Sequence, residues 1–183
     1  MASIIKANQL QDFGGNSIIT SDGAGNVTVN TQGLQNTPRF AVRLSANFTV
    51  PSATNTLIPF DFAVFNEGNC FNTSTNRFTA PSAGKYLFST SLFIDDLDDN
   101  DYQQTWFFKN GLRDFIEPGS SVLYRYLSQT YGSGASLSQT AKLTNLITLE
   151  QGDYIQVYGS HNQGAGQIAS AAYCTFSGFK LIG

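Results

Sequence analysis

The chain has 183 residues, a net charge of −3 and only 13% charged residues, about half the usual share, so Asn, Gln, Ser, Thr and Gly carry its polarity. Its length suits one domain with a short appendage, and 41% apolar residues exclude a disordered chain. It has no basic run to capture nucleic acid or anionic membrane and no apolar run long enough for a bilayer; the opening MASIIKANQLQDF lacks the apolar core of a secretory signal, so synthesis in a cytoplasm without general export is expected.

In chain order, residues 1–36 come first and differ in composition, being rich in Gly, Asn and Gln. They hold two brief strand patterns, Ser17–Thr20 and Asn26–Val29, around the turn cluster Ser21–Gly25. The piece is too small and polar to fold alone, so it must pack on a partner, on the main domain or on copies of itself. Thr37-Pro38 marks the boundary between a segment of residues 1–37 and a domain of residues 38–183.

Beyond it the apolar period is two. Phe40, Val42 and Leu44 share one strand face, and Phe60, Phe62 and Val64 another. Ala80–Gly84 is a turn that leads into a long strand with Tyr86, Phe88, Leu92 and Ile94 on one side. Asn110-Gly111 separates Thr105–Lys109 from Leu112–Ile116, and Asn-Gly supplies the positive φ angles of a type I′ hairpin. Ala141, Leu143, Ile147 and Leu149 share a face, Glu150–Asp153 turns the chain, and Tyr154–Tyr158 follows. No stretch of ten residues carries a helical stripe. Many short strands without helices predict an all-β sandwich or barrel.

Five segments in order carry a family resemblance. They are Ile58-Pro-Phe-Asp61 with Asn66; Phe78-Thr-Ala-Pro-Ser-Ala-Gly-Lys-Tyr-Leu-Phe88; Lys109-Asn-Gly111; Leu149-Glu-Gln-Gly-Asp153; and Phe176-Ser-Gly-Phe-Lys-Leu-Ile182. Together they resemble the C1q-like and tumour-necrosis-factor-like jelly rolls over about residues 38–183. The opening Gly15–Thr28 is similar to N-terminal segments of bacteriophage tail-fibre proteins. The resemblance implies a trimeric jelly-roll β-sandwich with a short extended N-terminal β segment, and a binding module rather than an enzyme. In the related trimers the closing strand lies near the threefold axis, so Tyr154, Phe176 and Phe179 are the expected trimer contacts. Gly178 is expected where a backbone or ring approaches closely.

The function expected from these resemblances is that of a bacteriophage virion protein: a homotrimeric tail-fibre knob. Residues 1–36 would hold it to other virion proteins, and the knob would bind a host surface glycan or protein. The alternative is a capsid fibre, decoration or baseplate protein with no receptor role. Neither nucleic acid nor membrane insertion is expected.

The remaining candidates have plain and functional readings. Asp95–Asp101 packs five carboxylates into seven residues. Asp96, Asp98 and Asn100 alternate like the start of a calcium loop. Asp101 stands where an EF-hand needs Gly and Phe107 where it needs Glu, so this is no EF-hand, and a solvated loop is the plain reading. Asp95 and Asp99, with Tyr124, Tyr126 and Tyr131, are candidate receptor contacts, the tyrosines as platforms for sugar rings; core or trimer packing is their alternative. His161 sits in a polar stretch, read as a loop or trimer-contact histidine before a catalytic base. Cys70 and Cys174 make no disulfide framework and read as two buried thiols. No His/Cys cluster has zinc spacing, and calcium is the one cofactor considered.

Overall fold

A computed structural model describes residues 7–30, 37–114, 125–129 and 137–181. They form strands and turns with no helix, in two compact units divided between Thr37 and Pro38.

The first unit is an antiparallel meander of β1 (Gln9–Gln11), β2 (Ser17–Ser21) and β3 (Val27–Val29). The second contains β4 (Arg39–Arg43), β5 (Phe48–Val50), β6 (Thr56–Leu57), β7 (Phe62–Glu67), β8 (Phe71–Asn72), β9 (Arg77–Thr79), β10 (Gly84–Leu97), β11 (Tyr102–Lys109), β12 (Arg125–Gln129), β13 (Leu137–Leu149), β14 (Tyr154–His161), β15 (Gln167–Ala169) and β16 (Thr175–Lys180). One sheet runs β5-β15-β10-β16-β4-β7, with β13 paired to the other side of β10; the second runs β12-β11-β14-β9-β8, with β6 also on β14. All pairings are antiparallel, and non-consecutive neighbours such as β10-β16-β4 give the crossing connections of a jelly roll.

The period-two pattern explains the core. Tyr86, Phe88, Leu92 and Ile94 of β10 are all buried, as are Ala141, Leu143, Ile147 and Leu149 of β13 and Phe40 and Val42 of β4. They meet Phe71, Phe78, Phe107, Ile155 and Val157 of the facing sheet. At the centre the Phe176 ring lies 4.9 Å from Phe40, 5.9 Å from Phe60, Phe71 and Phe88, and 5.8 Å from Phe107. Gly178 makes this packing fit, because a Cβ there would stand 2.5 Å from the Phe88 ring.

Two strand expectations change. Phe60 is buried, but Phe62 and Val64 are exposed, at 43% and 60%. A local turn, in which the Phe60 N–H donates to the Ile58 carbonyl, ends the inward run; the strand starts only at Phe62 and is bulged against β4 at Ala41/Val42. The Asn110-Gly111 turn has positive φ at both residues, 52° and 79°, but Leu112 makes only one isolated bridge, to Lys109, and Arg113 and Asp114 bend away. On the side away from β14, β12 pairs only Tyr102–Trp106, and Phe115 and Ile116 lie outside the described residues.

Candidate functional site

Five strands present one continuous outer face: β7, β4, β16, β10 and β13, in that order. Their register writes three cross-strand rows. The first is Glu67-Arg39-Phe179-Leu87-Leu146. The second is Phe65-Ala41-Ser177-Ser89-Thr144, and the third is Phe62-Arg43-Thr175-Ser91-Lys142. The middle row is a shallow trough, because four of its side chains are small and two tie to each other: the Ser89 and Thr144 hydroxyls stand 2.8 Å apart.

Apolar groups flank the trough. Phe62, Val64, Phe65 and Leu146 are exposed, and Phe179 and Leu87 are half-buried. The cations serve the rings and one carboxylate. The Arg43 guanidinium lies 4.1 Å over the Phe62 ring. Arg39 donates to both Glu67 oxygens, at 2.7 and 2.9 Å, and this hydrogen bonding holds Glu67 below its ordinary carboxylate range. Half-exposed ion pairs like this one contribute little stability. An exposed face with apolar groups of this kind suits contact with another protein surface.

The structure separates the three expected trimer contacts. Phe179 lies on this outer face. Phe176 does not: its side chain is fully buried inside its own protomer and cannot reach a partner, because the strand period turns it to the opposite side from Phe179's neighbours Ser177 and Thr175. Tyr154 belongs to the second sheet, where Arg77 covers its ring at 4.8 Å. Phe62, Phe65 and Leu87 belong to the face and were not singled out from sequence; the exposed pattern Phe-Ala-Val-Phe at an edge strand was the available signal.

The acidic run is also divided. Asp95 and Asp96 form a bulge just before strand β10 ends at Leu97, with Asp96 at φ 62°, and only Asp98–Asp101 forms the turn into β11. Ser138 donates its hydroxyl to Asp95. The Gln163 side-chain amide donates to Asp98 Oδ2 at 2.9 Å, and the Asp98 N–H donates to Asp101 Oδ2 at 3.1 Å. Among the described residues no three His, Cys, Asp or Glu side chains converge on a metal position. Asp96, Asp98 and Asn100 are thus spread over a strand end and a turn. The expected outcome in calorimetry is a melting curve in calcium that overlays the sodium curve at matched ionic strength. A rise specific to calcium, absent with magnesium, would instead mark a site.

Asp95 and Asp99 are exposed. Tyr126, at 40% exposure, stands on edge strand β12 opposite Thr105, while the acidic turn enters β11 at Tyr102. Tyr124 and Tyr131 lie outside the described residues. His161 is neither in a loop nor at a surface. It closes β14, fully buried, and its Nε2 donates to the Val50 carbonyl at 2.7 Å. Cys70 and Cys174 are separate buried thiols; burial pushes them up to about 12 and about 11, so neither supplies a thiolate nucleophile at neutral pH.

Residues 39–181 match the C1q domain. The chain belongs to the C1q domain family. Two solved structures share the architecture. One is the globular domain of zebrafish complement 1qA protein, with TM-score 0.51 and 17% identity over 79% of this chain and 96% of that one. The other is the Eiger TNF of S. frugiperda, with TM-score 0.52 and 14% identity over 78% and 90%. At these identities the likeness is one of fold. No curated protein sequence matches. C1q and TNF domains form trimers, bind ligands and typically carry no enzymatic activity.

The C1q signature residues of this chain are latches between turns. Asp61 accepts the Ser45 N–H at 2.7 Å and its hydroxyl at 2.6 Å. Asn66 imitates a strand partner: its Oδ1 accepts the Phe71 N–H at 3.0 Å and its Nδ2 donates to the Phe71 carbonyl at 2.8 Å. Tyr86 donates its hydroxyl to the Ser82 carbonyl at 2.6 Å. Asp153 locks the Asn110-Gly111 turn to the turn before β14. It accepts the Asn110 amide at 2.7 Å and the Glu150 N–H at 2.9 Å, with Lys109 Nζ at 3.2 Å, while Asn110 Oδ1 accepts the Tyr154 N–H at 2.8 Å.

Burial alone would raise Asp153, but the Asn110, Glu150 and Lys109 interactions together outweigh it and hold it below its ordinary range. A folded-state value below the unfolded one stabilises fully above the unfolded value of about 3.9 and is lost as pH falls through the folded value. Asp153→Ala should therefore cost about 1.5–3 kcal/mol at pH 7. In denaturant titrations the gap from wild type should narrow below about pH 4; a gap independent of pH would show that the carboxylate charge is not what matters.

Proposed function

We propose that this C1q domain is the homotrimeric, non-catalytic knob of a bacteriophage fibre, carried by its N-terminal unit and binding a host-surface glycan or protein. The observation that carries the trimer is the uncovered outer face around Phe179, Leu87, Leu146, Phe62 and Phe65. A threefold contact joins two different surfaces of neighbouring protomers and closes on itself. The face supplies one surface. The β12 edge, with Leu127 at 50% exposure, is suited to supply the other.

The virion reading is supported by the likeness of Gly15–Thr28 to tail-fibre openings and by the separate compactness of residues 1–37. Non-catalytic binding is supported by the two buried thiols and by the buried, hydrogen-bonded His161. Asp95, Asp99 and Tyr126 are the exposed candidates for receptor contact. Several weak sites on one particle act together, so avidity rather than single-site affinity would hold the host.

The test is to mix full-length protein with host cells and with their isolated polysaccharide, and to locate the chain on particles by immunogold electron microscopy. Label at fibre tips and retention on cells, with no oligosaccharide released, are expected. Released oligosaccharide would overturn the non-catalytic reading. Label elsewhere on the particle without cell retention would leave a capsid, decoration or baseplate role.

A further inference from the structure

The N-terminal unit contains a repeat. Asp12-Phe-Gly-Gly-Asn16 and Asp22-Gly-Ala-Gly-Asn26 are five-residue turns of one build, ten residues apart. In each, the aspartate accepts the main-chain N–H of the asparagine four residues on, at 2.8 and 3.1 Å. It also accepts that asparagine's side-chain amide, at 2.9 and 2.5 Å. These latches set the register of the meander, and the register sorts its side chains. Leu10, Ile19 and Val29 form a row across the three strands, with Val27 opposite Ser21 on the same face. Gln9, Thr20 and Thr28 make the row behind, next to Ile18.

A single sheet layer cannot cover its own apolar row. Leu10 and Val27 are 56% and 61% exposed, and Ile19 and Val29 are half-buried. The only charges in residues 7–30 are Asp12 and Asp22, in the turns at opposite ends of the sheet, so the face itself carries none. Copies of such a face do not repel one another, and it offers no charge for a dissimilar partner to read. Three copies are brought together if the knobs are trimeric, because each unit belongs to the same chain as its knob.

We propose that the face formed by Leu10, Ile19, Val27 and Val29 packs against its two symmetry copies, making the N-terminal unit a second trimer contact. The proposal rests on the trimeric reading of the knob. Attachment to the particle then falls to the opposite Gln9-Thr20-Thr28 face.

Single cysteines introduced in the full-length chain test this, since Cys70 and Cys174 are buried. Ile19→Cys and Val29→Cys, treated separately with a short bis-maleimide, should give covalent dimers in roughly tenfold or greater excess over Thr20→Cys, at micromolar protein and independently of dilution. A trimer mass by light scattering with no excess at either position overturns the inference alone. A monomer mass overturns both it and the trimeric knob. Equal cross-linking of Thr20→Cys, or cross-linking only to another virion protein on intact particles, overturns the assigned face.

Discussion

Leu87→Asp is expected to leave the sandwich folded and abolish the proposed trimer, so that light scattering reads the 19.8 kDa chain instead of three times that mass. Leu87 lies mid-face, with Phe179 on one neighbouring strand and Leu146 on the other, and no cation stands beside it in the row. In the single chain the position is half open, so the carboxylate reaches water and folding costs little. In the assembly the carboxylate would be buried without a partner, which costs about 3–5 kcal/mol per contact, or roughly 10²–10⁴ in each interface constant. Phe179→Asp is a weaker test, because Arg39 is its cross-strand neighbour and can pair with the new charge. An intact trimer in Leu87→Asp would place the contact on another surface.

Phe176→Ala should do the opposite and act within the protomer. Phe176 is fully buried and touches five aromatic rings drawn from both sheets, so truncation leaves a cavity that neighbours bound by strand register cannot close. The expected loss is about 3–5 kcal/mol. For a domain of this size that lowers the melting temperature by roughly 6–20 °C, with oligomeric mass unchanged below the transition. Phe176 and Phe179 stand three residues apart in one strand, yet one governs the fold and the other faces outward. A loss under about 1 kcal/mol, within the range of surface substitutions, would contradict the central packing of Phe176.

Much of the fold was legible because burial in a sandwich follows the two-residue period of a strand. Tyr86, Phe88, Leu92, Ile94, Ala141, Leu143, Ile147 and Leu149 could be assigned inward from spacing alone. The close approach at Gly178 was legible too, since a glycine between two phenylalanines in a strand is a packing statement. The signature segments pointed to the C1q domain. The period failed where the chain left regular pairing. Phe60–Val64 was read as one face, but a turn and a bulge expose Phe62 and Val64. Leu112–Ile116 was read as a strand, but after the Asn110-Gly111 turn only Leu112 bridges back, to Lys109, before Arg113 and Asp114 bend, and Phe115 and Ile116 lie outside the described residues.

The sequence by itself determined which residues alternate, where the chain turns and to which family it belongs, because these are local matters of side-chain period and turn chemistry. Only the tertiary structure decided what each face looks at. Cross-strand pairing between segments more than twenty residues apart put Phe179, Leu87 and Leu146 in one row, and it set Phe65 in a row with the small side chains Ala41, Ser177, Ser89 and Thr144. It also turned Phe176 and His161 inward, away from the roles their sequence positions suggested. The physical reason is that a strand has two faces of equal standing, and which of them meets the second sheet depends on the register of partners far away in the chain.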